Sequence, residues 1–259
     1  MNKNNLKVVI LAGGYGTRLG TLTKLKPKPM VDVCGKPIIE HIIQLYLKSG
    51  FSNFIICGGY KSEVIKDYFK KKFRKNVLLN NKNETFIKKN NFTIRIVNTG
   101  KNSLTGGRIK RIRKYVEKDA FFHMTYGDGL SNVNINKLTK FHLKNKKFAT
   151  VTTVKIQVPQ ERFGVVYFKN KNTVKEFVEK PDIKEIFING GFFVLNSKIF
   201  KFIKDDFTRW EAKPLERIAK QKQLAAFKHT GFWKCMDTIR DRKYLEQFKN
   251  KKFPWNTLN

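Results

Sequence analysis

The chain has 259 residues, of which 41% are hydrophobic and 13% aromatic, so it is long enough and apolar enough for a buried core and is not a disordered protein. Its formal net charge is +34, but the Lys and Arg residues are spread along the whole sequence without a nucleic-acid-binding motif, so we expect no specific nucleic-acid partner. No apolar run reaches the length of a membrane span, and the three distant cysteines suggest neither a disulfide framework nor a zinc site, so we expect no membrane partner and a cytoplasmic location.

Strand-like and helix-like segments alternate through the first half of the chain. This alternation predicts parallel strands with helices on both faces of the sheet. Ligands bind such sheets beyond the carboxyl ends of the strands. The predicted elements are, in order, a strand at 6–12, a helix at 37–49, a strand at 53–59, a helix at 61–73, a strand at 92–100, a helix at 106–116 and a strand at 120–128.

The second half is less regular, and no repeat or linker divides the chain, so we expect one domain, residues 1–259, of the α/β class. Ser197 and either Asp237 or Thr238 are suitable helix caps. The Asn-rich stretch 74–92 fits a flap, an edge hairpin or a disordered loop. The predicted elements are strands at 149–156, 164–168, 173–179 and 190–196, two of them close enough for an antiparallel pair, and helices at about 197–204, 211–222 and 239–250.

The glycine-rich stretch "LAGGYGTRLG", residues 11–20, follows the first strand. A P-loop would end in Lys-Ser or Lys-Thr, and this stretch does not. A dinucleotide-binding fingerprint would place its last glycine one residue before Gly20, and no acidic residue ends the second strand. Both patterns fail, which leaves a plain chain turn or another kind of anion site.

The cations after the glycines favour the anion site. Backbone amides of a glycine loop at the end of a strand form a concavity for anions. Arg18 offers two parallel donors to phosphate oxygens. Pro27 and Pro29 restrict Lys26 and Lys28 toward extended conformations, so the lysines are held on a stiff segment. Together these residues predict a polyphosphate site.

The same stretch resembles the signature of the sugar-nucleotide pyrophosphorylases, nucleotidyltransferases that join a sugar 1-phosphate to a nucleoside triphosphate. The similarity covers "LAGGYGTRL" at 11–19 and "KPKPM" at 26–30, and it extends through nearly the whole chain. The motifs "TGGRIKR", "YGDGLSNVNI" and "GFWKCMDT" are most similar to the branch that uses CTP and glucose 1-phosphate. The resemblance implies a Rossmann-like, mixed and mostly parallel sheet, with a nucleotide-binding half at 1–130 and a sugar-phosphate-binding half at 131–259.

The implied reaction is attack by a sugar 1-phosphate oxygen on the α-phosphorus of CTP, with pyrophosphate leaving in line and CDP-glucose as product for surface-polysaccharide synthesis. The second pKa of a phosphate monoester is near 6, so the nucleophile is ionised at pH 7 without a base. Positioning and neutralisation of charge then supply the catalysis, with Mg²⁺ gathering phosphate oxygens. The implied partners are these two small substrates and further copies of the chain in a homo-oligomer.

The resemblance also implies roles for individual residues. The catalytic set is Arg18, Lys28, Asp128 and Asp237, of which Asp128 and Asp237 are the metal ligands. The nucleotide-binding set is Leu11, Ala12, Gly13, Gly14, Gly16, Thr17, Arg18, Lys28, Thr105, Gly106, Arg108 and Gly127. The sugar-phosphate-binding set is Gly164, Glu179, Lys180, Asn189 and Gly190.

Several of these residues also have a structural interpretation. Taken alone, Asp128 fits an ordinary turn, Asp237 a helix cap, and Lys180 a solvated lysine. The "TGGR" amides at 105–108 are expected to contact a pyrimidine edge, and the Arg108 side chain an oxygen of the base or of a phosphate, although the same residues fit a simple helix start. The resemblance, not the spacing of residues, indicates cytosine.

Other functions stay open at this stage. A uridylyl- or thymidylyltransferase that acts on glucose 1-phosphate or on another sugar 1-phosphate would fit the same motifs. A non-enzymatic protein that binds a sugar nucleotide or nucleic acid would fit them too. Residues 74–92 depart from the richer insert of the resembled branch. If that insert selects the base or builds the oligomer, both of those assignments weaken.

Overall fold

A nine-stranded mixed sheet forms the centre of the structure, a computed structural model that describes residues 6–156, 165–168, 170, 172–178 and 186–256. Small two-stranded sheets accompany the central one. The strands of all these sheets, in chain order, are β1 (Lys7–Ala12), β2 (Asp32–Val33), β3 (Lys36–Pro37), β4 (Asn53–Gly58), β5 (Val77–Asn80), β6 (Glu84–Lys89), β7 (Phe92–Asn98), β8 (Phe122–Tyr126), β9 (Gly129–Ser131), β10 (Ala149–Lys155), β11 (Val165–Phe168), β12 (Val174–Val178), β13 (Phe187–Leu195), β14 (Leu224–His229) and β15 (Trp233–Cys235). The helices are α1 (Leu22–Leu25), α2 (Ile38–Lys48), α3 (Ser62–Lys72), α4 (Thr105–Arg111), α5 (Arg113–Val116), α6 (Ile135–Asn145), α7 (Lys213–Lys220) and α8 (Ile239–Glu246).

The order of strands in the central sheet is β14-β10-β13-β8-β1-β4-β7-β6-β5. Seven of these nine strands point the same way, and only β13 and β6 are reversed. Strands from both halves of the chain therefore join one sheet. The predicted α/β class and the mostly parallel, mixed sheet are confirmed.

Two layers of helices cover the sheet because alternate residues of each buried strand face opposite sides. Val8 and Ile10 of β1 belong to the core with α2, α3, α6 and α8. Val9 and Leu11 belong to the core with α4, α5 and α7. All four β1 side chains are buried, as expected for the centre of a doubly covered sheet.

Of the three interpretations of residues 74–92, the structure shows the edge hairpin. Strands β5 and β6 pair antiparallel, and β6 pairs antiparallel with β7. The Asn81 side chain accepts hydrogen bonds from Asn83 N and Glu84 N, each at 2.9 Å, which closes the turn. Arg95 of β7 forms an ion pair with Glu84 at 2.9 Å and anchors the hairpin to the sheet.

One predicted helix cap needs correction, and of the two alternatives for the cap of the last helix one is confirmed. Residues Ser197–Phe202 form a 3₁₀ helix, and its cap is Asn196, whose side chain accepts from Lys198 N at 2.9 Å, rather than Ser197. Helix α8 is capped by Thr238 rather than Asp237, because the Thr238 and Asp241 side chains each satisfy the other's backbone N–H. The predicted antiparallel pair is present as β11 and β12. Within the described residues, no helix is both long and apolar enough to cross a membrane.

Candidate active site

A cavity of about 400 Å³ opens at the carboxyl ends of β1 and β8, the edge of the sheet where the sequence predicted a ligand site. The glycine loop after β1, the lysine-proline segment, the loop after β7 and the turn after β8 form its walls. Its lining residues are Leu11, Ala12, Gly13, Gly14, Tyr15, Gly16, Thr17, Arg18, Lys28, Pro29, Lys101, Asn102, Ser103, Leu104, Thr105, Arg108, Tyr126, Gly127, Asp128 and Asp237. Every residue of the implied nucleotide-binding set except Gly106 therefore borders this cavity.

The glycine loop is fixed by close backbone contacts. Gly16 has φ +66°, a conformation that favours glycine, and a Cβ there would lie 3.0 Å from the Lys28 Cβ. Gly14 is exposed and has nothing within 4 Å of where a Cβ would be. The loop thus leaves open backbone at Gly14 while Gly16 brings Lys28 close.

The lysine-proline segment differs partly from its predicted shape. Lys26 is extended, with φ −139° and ψ 148°, as the following proline requires. Lys28 instead begins the 3₁₀ turn Lys28–Met30, because Met30 N donates to Pro27 O at 2.8 Å and Val31 N donates to Lys28 O at 3.0 Å. The turn directs Lys28 into the cavity and Lys26 toward Asp32, with which it forms an ion pair.

A small two-stranded sheet brings the two aspartates together. Strand β9 begins directly after Asp128 and pairs antiparallel with β15, which places Cys235 opposite Gly129. Met236 N then donates to Asp128 O at 2.9 Å. Because Thr238 supplies the cap of α8, the Asp237 side chain is left to face the cavity.

Lys28 joins the two carboxylates. Its Nζ lies 2.7 Å from Asp128 Oδ2 and 2.6 Å from Asp237 Oδ1, and its side chain is only 12% exposed. Burial would lower the pKa of Lys28, but Asp128 and Asp237 raise it above its ordinary value. Burial would raise the pKa of Asp237, but Lys28 lowers it. Arg18 Nη1 lies 3.3 Å from Asp237 Oδ2, so two cations face two carboxylates at the floor of the cavity.

The same place has the donors for a divalent metal ion. Ligand atoms of Asp128, Asp237 and Cys235 lie within 4.8 Å of one another. Lys28 shows that a single cation can contact both carboxylates at once. Magnesium prefers oxygen ligands, so the two aspartates fit it better than the cysteine sulfur does.

Two of the "TGGR" amides, those of Gly106 and Gly107, already donate within the protein. Gly106 N and Gly107 N both donate to Thr208 O, at 2.9 and 3.3 Å. A Cβ on Gly106 would lie 2.7 Å from that carbonyl, and one on Gly107 would overlap the Asp206 backbone. These glycines allow the 205–211 segment to pack on the start of α4, and a contact between the "TGGR" amides and a pyrimidine stays a prediction.

Arg108 is also held by the protein. Its guanidinium donates to Gly13 O at 2.8 Å, Gly100 O at 2.7 Å and Thr99 Oγ1 at 2.9 Å, and the residue is buried. Burial lowers the pKa of its guanidinium. These contacts tie the glycine loop to the loop after β7, and a contact between Arg108 and the base stays a prediction.

A second cavity of about 250 Å³ adjoins the first and shares Tyr126, Asp128 and Asp237 with it. Trp233 Nε1 donates to Gly190 O at 2.7 Å across this cavity's wall. Its lining residues are Thr125, Tyr126, Asp128, Gly129, Asn189, Gly190, Gly191, Phe192, Trp233, Cys235 and Asp237. Asn189 and Gly190 of the implied sugar-phosphate set border it, whereas Gly164, Glu179 and Lys180 lie outside the described residues.

The structure adds residues that the sequence did not single out. Tyr126 and Trp233 belong to quoted motifs, yet nothing in their spacing indicated that they border a cavity. Tyr15 packs against Tyr60, with ring centroids 5.1 Å apart, and its hydroxyl donates to Asn102 Oδ1 at 2.8 Å. The position of a tyrosine within the glycine loop was the sequence signal that could have indicated this contact.

The chain is similar to known proteins over nearly its whole length. The family model described as "Nucleotidyl transferase" matches residues 7–241. Glucose-1-phosphate cytidylyltransferase of Salmonella typhimurium is 45% identical over 264 residues, which covers 97% of this chain and 99% of that protein.

Two solved structures share the fold. HddC from Yersinia pseudotuberculosis, complexed with GMP-PN, is 25% identical with a TM-score of 0.67, covering 93% of this chain and 98% of that one. UDP-glucose pyrophosphorylase complexed with UDP-glucose is 18% identical with a TM-score of 0.67, covering 93% and 97% of the two chains. The resemblance predicted from the motifs is confirmed, and this chain belongs to the nucleotidyl transferase family.

Proposed function

We propose that this protein transfers a cytidylyl group from CTP to α-D-glucose 1-phosphate, forming CDP-glucose and releasing pyrophosphate. The observation that carries the proposal is the 45% identity, over 97% of the chain, to a glucose-1-phosphate cytidylyltransferase. Two adjoining cavities that share Asp128 and Asp237 support it, because two substrates must meet at the reacting phosphorus.

In this assignment the larger cavity takes CTP and the smaller one the sugar phosphate. An oxygen of the sugar 1-phosphate forms the new bond to the α-phosphorus, and the bond from that phosphorus to the bridging oxygen of pyrophosphate breaks. No proton transfer is needed, because the attacking phosphate is ionised at neutral pH. The backbone of Gly14 and the cation Arg18, which both line the larger cavity, would contact the charged triphosphate.

Asp128 and Asp237 would hold Mg²⁺ through their carboxylate oxygens. The ion supplies charge neutralisation to the phosphate oxygens when it is bound. Lys28 would then turn from the carboxylates toward the phosphates, where a point charge compensates the charge that develops on them. The closeness of all three side chains supports this assignment.

Other assignments complete the proposal. Residues 1–130 would form the nucleotide half and 131–259 the sugar-phosphate half. Lys180 would hold the phosphate of the sugar substrate, Glu179 would contact sugar hydroxyls, and Gly164 would allow a close approach of the sugar. The homo-oligomer and the cytoplasmic location also stay predictions.

The proposal is tested by supplying glucose 1-phosphate and Mg²⁺ with CTP, UTP, dTTP, ATP or GTP and measuring pyrophosphate. We expect release with CTP above the other four. Release with UTP or dTTP instead would contradict the cytidylyl assignment. No release with any triphosphate would contradict the enzyme assignment, and salt-dependent DNA binding that survives Asp128→Ala would favour the non-enzymatic alternative.

A further inference from the structure

Glu211, to which the sequence assigned no role, joins the walls of the two cavities. Its Oε1 accepts a hydrogen bond from the Tyr126 hydroxyl at 2.6 Å, and its Oε2 accepts one from Thr105 Oγ1 at 2.6 Å. Thr105 borders the larger cavity, and Tyr126 borders both. One carboxylate therefore connects the start of α4 with the end of β8.

The segment before α7 holds Glu211 in place. Trp210 is fully buried, and its backbone N–H donates to Thr105 Oγ1 at 2.9 Å. Asp206 O accepts from Leu104 N at 2.8 Å, and Thr208 O accepts from Gly106 N at 2.9 Å. The contacts of its neighbours therefore hold Glu211 in place together with the two hydrogen bonds that its side chain accepts.

The Tyr126 ring is fixed as well. It packs on Gly191, where a Cβ would come within 2.8 Å of the ring, and it lies edge-to-face with Phe193 at 6.1 Å. The Tyr126 hydroxyl carries a single proton at neutral pH, as an ordinary tyrosine does. That proton points to Glu211, which leaves only lone pairs facing the smaller cavity.

Asn189 supports this orientation from the other side. Its Nδ2 lies 3.4 Å from the Tyr126 hydroxyl oxygen and donates to it, while its Oδ1 accepts from Gly191 N at 2.8 Å. A ligand group beside Tyr126 must therefore carry a proton, as a sugar hydroxyl does. A phosphate oxygen would find no donor in the Tyr126 hydroxyl and would be repelled by the negative charge of Glu211.

We propose that Glu211 is a positioning residue that holds the Tyr126 hydroxyl as a hydrogen-bond acceptor for a hydroxyl group of the sugar 1-phosphate. The inference rests on the proposed function of the smaller cavity. Glu211 acts through Tyr126 and does not touch the sugar.

The test is a double-mutant cycle with Glu211→Ala, Tyr126→Phe and the combined variant, measuring KM for glucose 1-phosphate, KM for CTP and kcat. We expect each single change to raise KM for glucose 1-phosphate about tenfold, the effect of one lost hydrogen bond, with kcat changed less than about threefold. In the Tyr126→Phe background, Glu211→Ala should add nothing. Glu211→Gln keeps an acceptor oxygen for the Tyr126 proton and should restore most of the affinity.

Glu216→Ala is the matched control, because Glu216 is an exposed glutamate of α7 that borders neither cavity. It should leave all three constants unchanged. Additive effects of Glu211→Ala and Tyr126→Phe would overturn the proposal, and so would a change confined to KM for CTP. If the wild-type protein releases no pyrophosphate, the proposed reaction fails first; calorimetric titration of glucose 1-phosphate into the same variants then decides the role of Glu211 separately.

Discussion

The Lys28 ammonium lies 2.6 Å from Asp237 Oδ1, although 209 positions separate the two residues in the chain. It also lies 2.7 Å from Asp128 Oδ2 and so occupies the place where a divalent cation would contact both carboxylates. Lys28 and a divalent metal ion would therefore compete for the same two carboxylates. The metal should therefore bind the free protein weakly and bind well only together with a triphosphate, which gives Lys28 another partner.

Removing the Lys28 ammonium should strengthen metal binding to the free protein. We expect Lys28→Met to bind Mn²⁺ at least about tenfold more tightly without nucleotide, since a unit charge a few ångströms away is worth a few kcal/mol at the protein surface. Electron paramagnetic resonance of Mn²⁺ titrated with protein measures this directly. Turnover should fall, because the cation near the phosphates is lost.

Lys26→Met is the control for this experiment. It removes the same charge from the same segment, but Lys26 pairs with Asp32 and not with the two carboxylates of the cavity. Its Mn²⁺ affinity should equal that of the wild type. Equal affinities for all three proteins would show that Lys28 does not compete with the metal.

Substitutions at the neighbouring residues Asp237 and Thr238 should affect different properties, turnover in one case and stability in the other. Asp237→Asn is expected to lower kcat about a thousandfold or more, because several kcal/mol of charge stabilisation depend on the metal, while the fold is retained. Thr238→Ala removes the cap of α8 and should cost about 1 kcal/mol of unfolding free energy with turnover preserved. Pyrophosphate release and urea denaturation measure the two effects. Near-normal turnover of Asp237→Asn would remove Asp237 from the metal site.

Substitution by alanine should affect CTP binding at one glycine and stability at another. Gly14→Ala meets open space, so we expect a change in unfolding free energy within about 0.5 kcal/mol and a raised KM for CTP. Gly107→Ala would overlap the Asp206 backbone and should cost more than about 2 kcal/mol. Thermal unfolding and CTP kinetics of both variants check this. A stable Gly107→Ala protein would mean that the 205–211 segment can move away from α4.

Buried histidines predict acid sensitivity. Burial lowers the pKa of His123 to about 3 and that of His142 to about 4, whereas both are near 6.5 in the unfolded chain. Below pH 6.5 the unfolded chain therefore takes up protons that the folded protein does not, and each histidine should cost roughly 2 kcal/mol between pH 7 and pH 5. Urea denaturation at the two pH values measures the loss.

His123→Gln isolates one histidine from the carboxylates that titrate in the same range. The variant will lose stability at pH 7, because His123 is packed between Phe51 and Tyr46 and contacts Thr139 Oγ1 at 3.1 Å. The difference between its free energies of unfolding at pH 7 and pH 5 should nevertheless be smaller than that of the wild type by roughly 2 kcal/mol. An unchanged difference would show that His123 titrates normally.

The sheet and the residues that line the larger cavity could be predicted from the sequence because their signals are local. The alternation of segments indicated the sheet, and the end of β8 placed Asp128 at its ligand-binding edge. The contacts of Gly106, Arg108 and Glu211 could not be predicted, because each depends on a segment about a hundred positions away. The conformation of Lys28 was missed for another reason: the hydrogen bonds of a 3₁₀ turn overrode the usual preference of a residue before proline.

The pairing of β9 with β15 also determines when, during synthesis, Asp237 can join Asp128 and Lys28. Synthesis from Asp128 to Asp237 takes on the order of ten seconds at ordinary elongation rates. During that interval the nascent chain carries Lys28 and Asp128 but lacks the second carboxylate. On the proposed function, a ribosome-bound fragment that ends before β15 should therefore show no turnover, because it lacks Asp237, which contacts Lys28 in the complete site.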